Sequence, residues 1–293
     1  GVRTAEAVKI DLKTNEIVGR TDIMSAVGPD ETMVRGSVVC GDTLFMGGIS
    51  MAGMCAIDIN TMEMKQYSVN AGINYAPSEV VDGKCYMSLR GYGQYMYDSA
   101  TDSLTKIKGM DGATVGFRCM GTSAVTLSNN PLFPGISHVT ASSTGIKIYN
   151  YETKNVWTPP LYDEDTDGAG QLIRCIVSGE KGDDNIYMGG FNTVNCIKLN
   201  TQTAEQTLFE ATSAQTDVML WHNGNLYVGN YNAGNLVQIN FDDPDRNVIL
   251  LKFKEQYQQA RVHAIAAGDE YLFAGTIPQE YLYGGALAVI NLK

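Results

Sequence analysis

Basic residues, histidine, tryptophan and proline are all scarce in this 293-residue chain. Only 21 Lys and Arg face 32 Asp and Glu, a net charge of −11. A uniformly acidic surface repels polyanions, which excludes nonspecific attraction to nucleic acid or to anionic membranes. No run approaches eighteen uninterrupted apolar residues, so no membrane insertion is expected, and the N-terminus lacks the basic head and apolar run of an intact signal peptide. Three histidines and the absence of any CxxC pair exclude the usual zinc sites. The six cysteines (Cys40, Cys55, Cys85, Cys119, Cys175 and Cys196) stand singly in apolar runs such as "SVVCG" and "NCIKL" and read as small buried hydrophobes, with one or two disulfides as the alternative. Unpaired thiols fit a reducing setting, either cytoplasmic or an anaerobic exterior. There is also no nucleophile elbow, P-loop or dinucleotide fingerprint; "GYGQYMYD" lacks the strand-to-helix context that a phosphate loop needs.

What the chain does have is 31 Gly and 16 Tyr on a background that is 44% hydrophobic and only 18% charged. Gly supplies the positive φ of tight turns and Tyr suits half-buried strands, so the composition is that of a turn-rich β protein. "NLYVGNYNAGNLVQIN" (225–240), "NIYMGGFNTVNCIKLN" (185–200) and "TLFMGGISMAGMCAIDIN" (43–60) repeat one plan: apolar run, small residues, polar loop, apolar run, Asx. Aligned on that last residue, the repeats fall at Asp11, Asp58, Asp98, Asn150, Asn200, Asn240 and Asn291, between 40 and 52 residues apart. Thr14, Thr61, Thr101, Thr153, Thr203 and Asp243 stand three places further on. An Asx side chain accepts from backbone N–H groups just ahead of it and so starts a reversal by itself.

A recurring unit of this length, made of short alternating runs with no helical period between them, is the signature of a β-propeller. Each unit offers four antiparallel strands, a to d, and packing successive sheets around an axis covers faces that one sheet cannot bury alone. The expectation is all-β: a single propeller domain over residues 1–293 built of four-stranded blades. Six a–b hairpins give six blades, seven being the alternative if a blade is incomplete. Because the sequence enters at a c–d pair ("AVKIDLKTNEIVG") and leaves at a c strand ("ALAVINLK"), the ring is expected to close by pairing of N- and C-terminal strands.

The pattern h-x-h-(Asp/Asn)-x-x-Thr after a "hYhGG" strand resembles the YVTN, NHL and quinoprotein-like propeller repeats over nearly the whole chain. "GTIPQEYLYGGALAVIN" (275–291) is also similar to propeller modules of large secreted bacterial proteins. The resemblance implies a fold and a secreted or cell-surface setting; the superfamily mixes enzymes, sensors and binding modules, so it implies no single activity.

The a–b and c–d turns are minimal, whereas the d–a and b–c loops are long and varied, which marks their face as the binding face. Four Arg stand close to the start of innermost strand a: Arg35, Arg118, Arg174 and Arg261. Gathered, they would receive a carboxylate or sulfate through bidentate hydrogen bonds; the alternative is that each pairs with an acid in its own loop. Tyr75, Tyr92, Tyr95, Tyr231, Tyr281 and Tyr283 belong to the same face and could stack on sugar rings, or simply fill the core. "LRGYGQY" places Arg90 and Tyr92 in one b–c loop. Asp163, Asp165 and Asp167 before Gly168 form the first half of a calcium loop, but Arg174 stands where an EF-hand needs Glu, leaving a different kind of calcium loop or a solvated acidic one. His263 lies near the start of strand a, His138 in a b–c loop and His222 at an a–b turn.

These residues favour a noncatalytic module binding a glycan or other anionic small ligand through Arg35, Arg90, Tyr92, Arg118, Arg174, Tyr231 and Arg261, with no cofactor except a possible calcium ion. Two alternatives stand beside it: a polysaccharide or streptogramin-type lyase with His263 or Tyr281 as base at the channel mouth, and a protein-interaction scaffold.

Overall fold

The structure is a computed structural model. It describes residues 5–11, 13–14, 16–30, 34–74, 77–78, 80, 82–108, 122–126, 134, 136–142, 145–150, 152–159, 173–180, 183–190, 195–211, 214–241, 243–268, 270–280, 282 and 284–293. The chain divides into two compact units. One comprises Gly1–Ala124, His138–Ser142 and Lys147–Trp157; the other comprises Val125–Ser137, Ser143–Ile146 and Thr158–Lys293.

In the first unit, β1 (Glu6–Asp11) and β2 (Glu16–Asp22) pair only with each other and are followed by the one-turn helix α1 (Met24–Val27). Next come the antiparallel sheets β3 (Gly36–Cys40), β4 (Thr43–Gly47), β5 (Cys55–Asp58) and β6 (Lys84–Leu89), β7 (Gly93–Asp98), β8 (Ser103–Lys106). Irregular chain completes both. Lys65 N–H donates to Ala56 O (2.8 Å) beside β5, and the N–H groups of Asn74 and Ser78 donate to Ser88 O and Tyr86 O (both 2.8 Å) beside β6. Phe45, Met87, Leu89 and Tyr97 are buried between these two sheets.

A four-stranded sheet then runs in the order β12-β11-β10-β9, from β9 (Thr122–Thr126), β10 (Ile136–Ser142), β11 (Gly145–Asn150) and β12 (Val156–Trp157). His138 therefore lies inside a strand and not in a b–c loop as expected, because the a–b connection is longer than the sequence indicated and β10 begins only at Ile136.

The second unit holds β13 (Ile173–Ser178), β14 (Asn185–Gly190), β15 (Asn195–Asn200), β16 (Gln206–Glu210); β17 (Thr216–His222), β18 (Asn225–Asn230), β19 (Asn235–Ile239), β20 (Val248–Lys252); and, after the one-turn helix α2 (Phe253–Tyr257), β21 (Gln259–Gly268), β22 (Tyr271–Pro278), β23 (Leu287–Asn291). In each sheet successive strands are hydrogen-bonded neighbours. Tyr187, Cys196, Leu226 and Val228 are buried between the first and second of these sheets, and Leu236, Phe253, Val262 and Leu272 between the second and third. Each fully buried aliphatic or aromatic side chain contributes about 1.5–3 kcal/mol, so these faces, more than any turn, stabilise the stack.

The Asx corners form as expected. Asp58 Oδ1 accepts from the N–H groups of Asn60 (2.8 Å) and Thr61 (3.0 Å), and Asn200 Oδ1 from those of Gln202 (2.9 Å) and Thr203 (3.0 Å). Asp11 and Asn150 make the same pair of contacts. The Thr hydroxyl then accepts from the residue two places on, as Thr203 Oγ1 does from Glu205 N–H (3.2 Å). One residue past the Thr the backbone turns left-handed, at Met62 (φ 61°), Asp102 (46°), Lys154 (63°) and Ala204 (62°). The sequence-predicted hairpin corners are thus physical, and at Asp11, Asp58, Asn150 and Asn200 they fix where the c strand hands over to d.

The expected closure by pairing of N- and C-terminal strands is not confirmed, and neither is the number of blades. β22 is paired with β23 from Leu272↔Ile290 to Gly275↔Leu287, and β1 with β2. No sheet among the described residues is closed on itself.

Candidate functional site

The second unit contains a feature the sequence only half announced. Strands β13 and β17 each carry a β-bulge at their start: Ile173 pairs with Gly190 but Cys175 with Gly189, and Thr216 pairs with Asn230 but Val218 with Gly229. The extra residues are Arg174 and Asp217. In β21 the same slip falls between Val262↔Thr276 and Ala264↔Gly275, and the extra residue is His263. A bulge turns one side chain out of the pleat and re-aims it, and here it does so at one register position in three consecutive sheets. In the first unit Gly36 pairs with Gly47 as Cys175 does with Gly189, so Arg35 holds the same slot, and Asn74, after the Ile73↔Leu89 bridge, holds it beside β6.

The repeated glycine of "YMGG" and "YVGN" brings these positions close. A Cβ on Gly189 would lie 2.7 Å from Thr216 Cγ2 and 2.8 Å from Cys175 Sγ, and one on Gly229 would lie 2.6 Å from Val262 Cγ1. Only glycine lets the next sheet's strand a approach so near. As a result Arg174 Nε donates to Asp217 Oδ1 (2.9 Å), Gln215 Nε2 donates to the same oxygen (2.7 Å), and Arg261 Nε sits 2.8 Å from Asp217 Oδ2. The Asp217 carboxylate is fully buried, the Arg174 side chain is 6% exposed and that of Arg261 19%. Arg261 also lies over Tyr231, with its guanidinium carbon 4.0 Å from the ring centroid, and the two residues are bridged through the backbone.

Two guanidiniums and one carboxylate leave these three groups with a net positive charge, on a chain that is acidic overall. The neighbourhood is firmly held. Tyr231 N–H donates to Gln215 O (2.9 Å), Asn230 Oδ1 accepts from Asn235 N–H (2.8 Å) and so fixes the b–c loop, and Gln259 binds Thr276 Oγ1 and Gly284 O. Beneath the cluster, burial pushes the Cys196 thiol up to about 11. Burial likewise raises Cys175, with Cys196 and Asp217 adding to the shift and Arg174 opposing it. Neither thiol is a thiolate nucleophile at neutral pH.

Of the four Arg expected to gather, Arg174 and Arg261 do meet. The acid they share lies in neither of their own loops but on strand a of the sheet between them. Arg35 stands at its register slot in the first unit, its N–H donating to Gly47 O (2.8 Å). Arg90 and Tyr92 form the β6–β7 turn as expected, with Arg90 N–H on Gly72 O (2.9 Å) and the Tyr92 ring 52% exposed. Tyr95 is core, and His222 touches Asn223 at the a–b turn. Arg118, Tyr75, Tyr281, Tyr283 and the calcium-loop candidates Asp163, Asp165 and Asp167 lie outside the described residues. Sequence reasoning missed Asp217 and Gln215. Lining up "IRC", "TDV" and "VHA" ahead of their hairpins would have placed Asp217 in the slot of Arg174.

At the opposite end of the β6–β8 sheet a second polar group is built on Asp102, whose Oδ1 accepts from Lys65 Nζ (2.6 Å), Tyr97 OH (2.8 Å) and Tyr67 OH (2.9 Å). Burial pushes this carboxyl up, but the bonds from Lys65, Tyr97 and Tyr67 outweigh it, and the group is held below the ordinary aspartate value. Burial and the contact with Asp102 raise Tyr67. The donors are saturated on one oxygen, which is the arrangement of a clasp between sheets.

No family model and no curated protein matches the chain. Solved structures do. The extracellular domain of a proposed one-component system, BT4673, from B. thetaiotaomicron superposes with a TM-score of 0.64 at 14% identity, covering 98% of this chain and 38% of that one. The β-propeller domain of Cps50 (Swd1) from Myceliophteria thermophila gives 0.59 at 13% identity, over 89% and 88%. The chain has a β-propeller fold. Dihydro-heme d1 dehydrogenase NirN, in complex with DHE, gives 0.62 at 9% identity, over 98% of this chain and 59% of that one. At such identities the likeness is one of fold, and it does not single out the YVTN or NHL repeats. The chain spans well under half the length of the BT4673 domain. No helix among the described residues is long and apolar enough to cross a membrane.

Proposed function

We propose that the protein is a noncatalytic ligand-binding propeller, one domain over residues 1–293 with YVTN-like repeats, that takes an acidic glycan on the face formed by its b–c and d–a loops. The observation that carries this reading is the convergence of Arg174 and Arg261, from two different sheets, on the one buried carboxylate of Asp217, with Arg261 laid on the part-exposed ring of Tyr231. A guanidinium held by a carboxylate and an aromatic face is pre-oriented, so little side-chain entropy is lost when an anionic group binds beside it. An exposed tyrosine next to it offers the flat apolar face that a sugar ring stacks on. The setting in a larger secreted or surface protein draws support from the fold it shares with the extracellular domain of BT4673.

The test is titration calorimetry against a panel of neutral and uronic polysaccharides, using the wild type, Arg261→Gln and Tyr231→Ala. The reading expects affinity for uronic members only, reduced at least about tenfold by either substitution, which is the loss of one charge-assisted or aromatic contact. No affinity for any uronate, or affinity indifferent to both substitutions, removes it. Growth of ultraviolet absorbance on incubation with a uronate would instead indicate elimination, and the lyase with His263 as base would replace the binding module.

A further inference from the structure

Two thiols of the first unit meet across a packing interface. Cys40, the last residue of β3, and Cys85, the second of β6, are fully buried in one core cluster between facing sheets. We infer that Cys40 and Cys85 are an oxidative modification site, which a low-molecular-weight disulfide converts to a protein disulfide joining the β3–β5 and β6–β8 sheets.

Glycine lets the two sheets close together at this end. A Cβ on Gly41 would lie 2.7 Å from Ser99 Cβ, and one on Gly83 would lie 2.9 Å from Ser99 Oγ. Both glycines are also left-handed, at φ 58° and 70°, so each turn runs close under its neighbour without a side chain in the way. Thr43, the cross-strand partner of Cys40, places its Oγ1 3.0 Å from the OH of Tyr97, the cross-strand partner of Cys85. The sheets are therefore level with each other at the two cysteines. Cys40 Sγ donates to Gly83 O (3.3 Å), and its thiol is also in hydrogen-bond contact with that of Cys85.

The other described cysteines are placed differently. Cys175 and Cys196 both pair with Gly189, from opposite sides, so their backbones stand two strand spacings apart, about 9–10 Å. That exceeds the roughly 7 Å that a disulfide spans. Cys55 belongs to a separate core cluster.

Bridging the pair removes two electrons, and a small disulfide such as oxidised glutathione accepts them. One cysteine thiolate attacks a sulfur of the reagent and expels a small thiolate, leaving a mixed disulfide; the second cysteine thiolate attacks the protein sulfur of that bond and expels the other half. The two protons given up by the cysteines balance the two thiolates released, so one small disulfide becomes two small thiols. Burial raises both thiols and keeps them protonated, so the exchange runs during folding or through local opening of the two sheets. Such a bond suits the secreted or surface setting proposed above, where disulfides persist, and it stabilises by restricting the unfolded chain.

The experiment uses the whole chain, refolded in one arm and incubated in its native state in the other, in a buffer of oxidised and reduced glutathione. Both arms are quenched with N-ethylmaleimide, digested and mapped by mass spectrometry. The expected product, in the refolded arm at least, is a pair of peptides joined through Cys40 and Cys85, lighter by two hydrogens than its reduced halves, with Cys175 and Cys196 still alkylated. In scanning calorimetry the oxidised form should melt at least about 5 °C above the reduced one, a gain reversed by dithiothreitol and absent from Cys85→Ala. Cys40→Ala is the second variant should the first fold poorly, and the peptide map of the wild type decides without either. Alkylation of Cys40 and Cys85 in both arms, a link from either to a different cysteine in place of this one, or an oxidised form that melts no higher than the reduced form, overturns the inference. The pair shares no residue with the Arg174–Asp217–Arg261 cluster, so failure of one reading leaves the other standing.

Discussion

Replacing Asp217 is the sharpest perturbation the structure offers. Its carboxylate is fully buried and is shared by Arg174, Arg261 and Gln215. Asp217→Ala leaves two guanidiniums facing one another without their common counter-charge and removes the acceptor of the Gln215 amide. Removing one partner of a buried ion pair costs about 3–5 kcal/mol, and a lost amide acceptor adds about 1 kcal/mol. Arg261→Ala should cost less, about 1–2 kcal/mol, because its side chain is part-exposed and gives up one ion-pair contact and one cation–π contact. In a domain of this size 1 kcal/mol moves the melting temperature by about 2–4 °C, so Asp217→Ala should melt roughly 10 °C or more below the wild type and Arg261→Ala only a few degrees below. Differential scanning calorimetry measures both. Asp217→Asn keeps the shape and loses the charge, and it should behave like Ala. Because the pair is buried, its penalty should persist in about 1 M salt, which screens surface pairs almost completely. A melting point for Asp217→Asn within 2 °C of the wild type, or a penalty abolished by salt, would refute the reasoning that this carboxylate organises the site.

Two further outcomes follow from the turns and the clasp. The Asp102 carboxyl is held below its ordinary value of 3.8, so the folded state favours the ionised form; the stability it contributes is present above 3.8 and is lost as pH falls below it. The difference in melting temperature between the wild type and Asp102→Asn, read from pH 6 downward, should therefore shrink in acid, and a difference that stays constant would show that ionisation is irrelevant there. Ala204 is exposed and left-handed (φ 62°), a conformation that penalises a Cβ. Ala204→Gly should be stabilising by roughly 0.5–1 kcal/mol in urea denaturation, whereas a loss of stability would mean that chain entropy outweighs the strain.

How far these features could be read from the amino-acid order depends on the range over which each is encoded. The Asx corners are local: Asp58 or Asn200 needs only the N–H groups two and three places ahead, so the pattern in the sequence and the bonds in the structure coincide. The b–c position of Arg90 and Tyr92 was legible for the same reason. The pairing of β22 with β23 is likewise between neighbours in sequence. The site is less local. Arg174 and Arg261 stood out because a cation beside an apolar strand is conspicuous, but Asp217 in "QTDVML" looks like an ordinary polar residue at a strand start. Its role appears only when the slip in register is known, since the bulge carries Asp217 out of the pleat and Gly189 lets its strand approach Arg174. The same register slot holds Arg35, Asn74, Arg174, Asp217 and His263, and in the last three a bulge presents a different side chain each time. Repeats so alike in their corners therefore differ in what this slot holds, which is the physical reason that they could predict architecture without predicting the side chains that meet at Asp217.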